Sequence, residues 1–165
     1  MFYAEMDSPL GLITLAGDEN GLSGLWLEGQ KHFAPGGLPG VRRDDFPLFV
    51  RARDWLRRYF DGQDPAPGEL PLNPAGTAFQ LRVWNLLRDI PRGQTRSYGE
   101  LAQLLNAQAG FPRTSARAVG GAVGRNPLSI LIPCHRVVGA SGSLTGYAGG
   151  LARKEWLLGH EGARG

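Results

Sequence analysis

Apolar residues alternate along the first 28 positions and break at short polar turns. The alternation predicts three short strands, FYAEM (2–6), LITLA (12–16) and LSGLWLE (22–28). The separators DSPLG and GDENG carry the Pro, Gly, Asp and Asn that tight turns favour, so the three strands read as an antiparallel hairpin or meander. Residues 29–45, GQKHFAPGGLPGVRRDD, show no period and read as a loop. The period then lengthens. In DDFPLFVRARDWLRRYFDG an Asp precedes Pro47, Phe49, Ala52, Leu56 and Phe60 recur at helical spacing, and Gly62 supplies a stop. The Pro-rich stretch QDPAPGELPLNPAG reads as a boundary between two domains, residues 1–73 and 74–165.

Helical periods dominate the second half. TAFQLRVWNLLRDI places Phe79, Val83, Leu86, Leu87 and Ile90 on one stripe, with Thr77 as the cap. In SYGELAQLL, Ser97 and Glu100 have capping-box spacing ahead of Leu101, Leu104 and Leu105. After the loop NAQAGFPR, either Thr114 or Ser115 caps TSARAVGGAVGRN. This pair of short helices resembles a helix-turn-helix with a long turn. At about 100° per residue, Ala118, Val119, Ala122 and Val123 share one face, and Arg117 lies opposite with Gly120, Gly121 and Gly124 on its side. Each glycine costs a helix interior about 1 kcal/mol, so something keeps that side bare. Two explanations stand: another element packs closely there, or a phosphodiester backbone approaches. The last helix, in GGLARKEWLLGHEG, offers Leu151, Trp156, Leu157 and Leu158 to the core. The pattern predicts an α+β fold: a small N-terminal antiparallel sheet with a helix, and a mainly helical C-terminal domain containing the helix-turn-helix.

Composition changes this picture little. Hydrophobic residues make up 42% and charged residues 20% of 165, which fits a globular chain. No window is apolar for long enough to span a membrane, and MFYAEMDSPL lacks the basic flank of a secretory signal; the expected compartment is the cytoplasm. The net charge is +3, and all cations except Lys31 and Lys154 are Arg, a residue suited to phosphates and bases. A GC-rich genome would also favour Arg, so charge alone does not decide for nucleic acid.

The single cysteine, Cys134, excludes an intramolecular disulfide. With only His32, His135 and His160 available, and Cys134 adjacent to His135, no metal site is expected. A lone cysteine is ordinarily a small buried hydrophobe. Here Pro133 fixes a turn before it, His135 offers a base and Arg136 adds positive charge, a setting that lowers a thiol's pKa and favours a nucleophile. An acid would orient the histidine, and spacing leaves Glu100, Glu155 and Glu161 open.

The motifs GTAFQLRVW, IPRGQTRSYGELA, ARAVGGAVGRNP, PCHRVV and GYAGGLARKEWLLGHEG, in this order over residues 74–162, resemble the O6-alkylguanine-DNA alkyltransferases (methylated-DNA–protein-cysteine methyltransferases). Residues 1–73 match that family's variable N-terminal domain only weakly. The resemblance implies a DNA repair protein that moves an alkyl group from O6 of guanine to its own Cys134 in one irreversible turnover, after flipping the base from the duplex. It implies that His135, through a water, and Glu161 help form the thiolate. Asn126 would be a hinge between recognition helix and active-site segment. Tyr98 would contact base and backbone, and Arg117 would fill the gap left by the extruded nucleotide. Cys134 and Val137 would accept hydrogen bonds from the guanine amino group, and Tyr147 and Ala148 would belong to a loop closing the pocket. On this resemblance the bare side of the Arg117 helix, with Gly120, Gly121 and Gly124, suits close minor-groove approach. The implied partner is double-stranded DNA carrying O6-alkylguanine, bound by a monomer without cofactor or metal; some relatives hold a zinc in the N-terminal half, but residues 1–73 contain no Cys.

Two departures stand out. The segment between Tyr98 and Arg117 is several residues longer than in familiar members, and Ala148 stands where some members have Ser. Three other functions compete: a non-catalytic alkylated-DNA binder, a helix-turn-helix regulator and a cysteine hydrolase. The acceptor thiol argues against the first, the lack of a visible dimer helix against the second.

Overall fold

A computed structural model describes residues 1–38 and 40–163; Pro39 of the first loop and residues 164–165 lie outside the described residues. The fold is α+β. The chain forms two compact units: Met1–Ala75 together with Pro127–Leu131, and Gly76–Asn126 together with the chain from Ile132 onward.

In the first unit, β1 (Phe2–Met6), β2 (Ile13–Asp18) and β3 (Gly21–Leu27) form the antiparallel meander that the alternation predicts, with Phe2 opposite Gly17 and Ile13 opposite Leu27. The loop 29–45 is not wholly irregular. Val41–Arg42 form β4, which pairs parallel to β1 and completes a sheet of order β3-β2-β1-β4. A two-residue strand carries no periodicity, which is why the pattern hides it. The free edge of β3 is covered by two extended segments. Leu22 N donates to Pro71 O at 2.9 Å and Leu25 N to Pro127 O at 2.8 Å, so the edge presents few unpaired groups to other chains.

Helix α1 (Pro47–Phe60) starts with Pro47 in its first turn. Phe46, not an Asp, is its cap residue, and no side chain bonds there. Its buried side is Leu48, Phe49, Ala52, Trp55, Leu56 and Tyr59, whereas Phe60 is half-buried. The buried stripe ends on Tyr59 rather than Phe60, a difference that an apolar period hides because Tyr59 has a polar tip.

The second unit holds α2 (Ala78–Leu87), α3 (Tyr98–Asn106), α4 (Ala116–Gly124) and α5 (Leu151–His160). Capping boxes start α2 (Thr77 with Gln80) and α3 (Ser97 with Glu100), and Ser115, of the two candidates, caps α4. Trp84, absent from the expected stripe, is the main anchor of α2. Its indole donates to Ala122 O at 2.8 Å and so fixes α4. Phe79 and Leu86 are half-buried, and Leu104 and Ala118 are exposed. On α5, Leu157 and Leu158 are buried but Leu151 and Trp156 are not. The helix turns Lys154 inward instead, fully buried. Two-residue strands β5 (Arg96–Ser97) and β6 (Val137–Val138) pair in parallel, Ser97 against Val138. That pairing sets the start of α3 beside the segment that follows Cys134. No helix among the described residues is long and apolar enough to cross a membrane.

Candidate functional site

Cys134 opens a single 3-10 turn, Cys134–Arg136, whose three residues are all buried. Pro133 precedes it, and the turn closes when Arg136 N donates to Pro133 O at 3.0 Å. Four residues upstream, buried Ile130 holds φ at 70°, the left-handed region that a β-branched residue rarely occupies, so the approach to the turn is over-determined by its surroundings.

Two of the three side chains, His135 and Arg136, converge on one carboxylate, Glu161, while Cys134 faces other groups. His135 Nε2 lies 2.7 Å from Glu161 Oε2, both side chains being shut off from solvent. Arg136 grips the same carboxylate with two bonds, Nε to Oε1 at 2.8 Å and Nη2 to Oε2 at 3.0 Å, and also donates to Ile90 O. Burial alone would raise the Glu161 carboxyl. The hydrogen bonds and charges of His135 and Arg136 outweigh it, so Glu161 stays ionised well below the usual carboxylate range. Burial, with Arg136 and Lys154 nearby, pushes His135 down from its ordinary value against the pull of Glu161. An ionised carboxylate only accepts hydrogen bonds, so a neutral His135 carries its proton on Nε2. Its Nδ1 is then a base, and it has no protein partner among the described residues.

Burial pushes the Cys134 thiol up, against the expectation of a lowered value. Three features pull the other way: a hydrogen bond from the Asn126 side chain, the charge of Lys154, and the backbone N–H groups of Cys134 and His135. The cation acting on the sulfur is therefore Lys154 rather than Arg136, whose charge is paired with Glu161. Sequence reasoning missed Lys154, because an apolar period treats lysine as polar. Its ammonium donates to Val137 O, to Thr145 O at 2.8 Å and to Gly146 O at 3.3 Å, which satisfies three donors without an anion.

Asn126, next after the α4 cap, donates from Nδ2 to Ile132 O at 2.8 Å, two residues before the cysteine. Tyr98 begins α3. Its hydroxyl donates to Thr145 O at 3.1 Å, and a Cβ at Gly120 would sit 3.7 Å from its ring. Burial raises the Tyr98 phenol, so it keeps its proton and remains a donor. The loop of Thr145 and Gly146 is thus held from two sides, by Tyr98 and Lys154. Tyr147 and Ala148 follow it and are half-buried.

The structure brings Cys134, His135, Glu161, Asn126, Val137 and Tyr98 into this neighbourhood. Arg117, Gly121 and Gly124 stand apart on α4. Arg117 and Gly121 are exposed, and an added Cβ at Gly121 or Gly124 would meet nothing within 4 Å. Packing within the chain therefore does not explain these glycines. Among the described residues no group of three or more His, Cys, Asp or Glu is placed to hold a metal.

Residues 78–163 match the family described as 6-O-methylguanine DNA methyltransferase, DNA binding domain, and residues 1–74 its ribonuclease-like domain. A methylated-DNA–protein-cysteine methyltransferase of Methanosarcina acetivorans is 46% identical over 99% of both chains. The Mycobacterium tuberculosis OGT crystallised in complex with DNA superposes with a TM-score of 0.84 at 42% identity, covering 99% of this chain and 94% of that one. The O6-methylguanine-DNA methyltransferase of Pyrococcus kodakaraensis gives a TM-score of 0.70 at 27% identity, covering 97% of this chain and 99% of that one.

Proposed function

The chain belongs to the 6-O-methylguanine DNA methyltransferase family, and from that premise we propose that Cys134 is the atom-level acceptor in its reaction, the removal of an alkyl group from O6 of guanine in DNA. The observation that carries this assignment is the setting of the only thiol of the chain: burial raises it, Asn126, Lys154 and the backbone amides pull it back toward the ionised form, and the adjacent histidine is bonded through Nε2 to Glu161, which leaves Nδ1 as a base.

His135 Nδ1, through a water, takes the Cys134 proton, and the developing imidazolium is stabilised by Glu161. The thiolate attacks the alkyl carbon in line. The carbon–oxygen bond breaks, its electron pair goes to guanine O6, and Tyr98 donates the proton that neutralises the departing base; the proton held by the His135 imidazolium then returns through water to the phenolate, so both residues end neutral. The product is a thioether, and no neighbouring group cleaves it, so each molecule acts once. Asn126 ties the end of α4 to the acceptor segment. The loop with Tyr147 and Ala148 covers the base, and the Cys134 and Val137 carbonyls receive its amino group. Because Lys154 already donates to Val137 O, that carbonyl has one lone pair left for the guanine.

Reaction inside a duplex requires extrusion of the nucleotide, at a cost of a few kcal/mol. Arg117 fills the gap in the stack, and the open surface at Gly121 and Gly124 lets α4 approach the minor groove of double-stranded DNA. The complex of the M. tuberculosis relative with DNA supports this partner. Monomeric action, in the cytoplasm and without cofactor or metal, with the second unit carrying both DNA binding and acceptor, is part of the same proposal. Arg117→Ala tests it. The ratio of the rate on duplex O6-methylguanine to the rate on the free base is expected to fall by about 10- to 100-fold, the equivalent of the extrusion energy. An unchanged ratio would remove Arg117 from extrusion.

A further inference from the structure

The loop between α3 and α4 is longer than the family resemblance leads one to expect, and the structure shows that it is braced. Asn106, the last residue of α3, pairs twice with the backbone of Thr114: Nδ2 donates to Thr114 O at 3.0 Å, and Thr114 N donates to Oδ1 at 2.8 Å. Asn106 and Thr114 are eight positions apart, and their pairing closes the loop between them at its base. Its middle is held from α2. The Arg82 guanidinium stacks 3.5 Å from the centre of the Phe111 ring and donates to Gln108 Oε1 at 2.8 Å. Phe111 keeps half its surface exposed, and Pro112 and Arg113 beyond it are exposed as well.

Along the chain, from within α3 through this loop and into α5, the charges have one sign. From Leu101 to Lys154 the sequence has no Asp or Glu, while Arg113, Arg117, Arg125, Arg136, Arg153 and Lys154 fall within it. Arg136 and Lys154 are buried in the acceptor site. Arg113, Arg117 and Arg125 are exposed and have no ion-pair partner among the described residues. Arg113 precedes the Ser115 cap and lies four residues before Arg117, at the entrance to the recognition helix. Exposed guanidinium groups without a carboxylate partner suit a polyanion. A loop already braced loses little conformational freedom on binding.

We propose that this loop is a second DNA contact, in which Arg113 binds a backbone phosphate beside the lesion while Arg82 and Phe111 hold the loop in place. The inference rests on the duplex-binding assignment above and adds to it a residue outside the base pocket.

The test measures the affinity of the full chain for a duplex oligonucleotide carrying one O6-methylguanine, over salt concentrations from about 50 to about 200 mM. One phosphate contact contributes about 0.9 to the slope of log K against log salt. Arg113→Ala is expected to lower the slope by that amount and to weaken binding several-fold at the low-salt end, with the parent's thermal midpoint retained. Arg113→Lys is expected to keep the slope. A steep parent slope that Arg113→Ala leaves unchanged would overturn the loop contact alone. A parent slope near zero would overturn duplex binding itself, and the loop contact with it.

Discussion

Glu161→Gln is expected to cost the protein about 3–5 kcal/mol of stability, because it breaks a fully buried ion pair and leaves the Arg136 guanidinium without its counter-charge. For a chain of this size that corresponds to a fall in thermal midpoint on the order of 10 °C. The pH dependence gives the result its signature. The Glu161 carboxyl is held below its unfolded value, so its contribution is present above about pH 4.5 and is lost as the pH falls through the folded value. The difference between parent and variant should therefore be largest near neutrality and shrink below about pH 4.5. Alkyl transfer should fall as well, on the order of 100-fold, because an amide does not stabilise the imidazolium that His135 becomes when it takes the Cys134 proton. Stability and rate within error of the parent would mean that the pairing of Glu161 with His135 and Arg136 does neither job.

Cys134→Ser is expected to abolish transfer altogether. The substitution is nearly isosteric in a buried turn, so the fold and the affinity for alkylated duplex should stay within a few-fold of the parent. A hydroxyl in that site remains protonated, and an alcohol is a far poorer nucleophile toward an alkyl carbon than a thiolate. Slow but measurable transfer by the serine variant would place the acceptor elsewhere. Loss of both binding and transfer, with the thermal midpoint unchanged, would show that the sulfur takes part in recognition as well.

Features set by neighbours in sequence were legible before the structure. The Thr77–Gln80 and Ser97–Glu100 boxes are signals four residues long, and both caps form. The three meander strands alternate locally, and the sheet follows them within a residue or two. Features set by distant residues were not. Lys154 looks solvent-facing in any periodicity count, and its burial is explained by three carbonyls from other parts of the chain. Leu151 and Trp156 looked buried by the same count and are not. Spacing alone left three glutamates open as the partner of His135, since the partner lies 26 positions away across a turn and a helix. The direction of the Cys134 shift failed for a related reason. The sequence shows the cations near the thiol but not the burial that opposes them. The sequence also carries a signal that periodicity does not register: the run from Leu101 to Lys154 has no acidic residue and includes the exposed Arg113, Arg117 and Arg125.

The most direct measurement is the intact mass of the protein after incubation with an excess of duplex carrying O6-methylguanine, followed by peptide mapping. One methyl per chain, never more, located on the peptide containing Cys134, is the expected result. Unmodified protein alongside demethylated DNA, or a methyl group on any other residue, would contradict it.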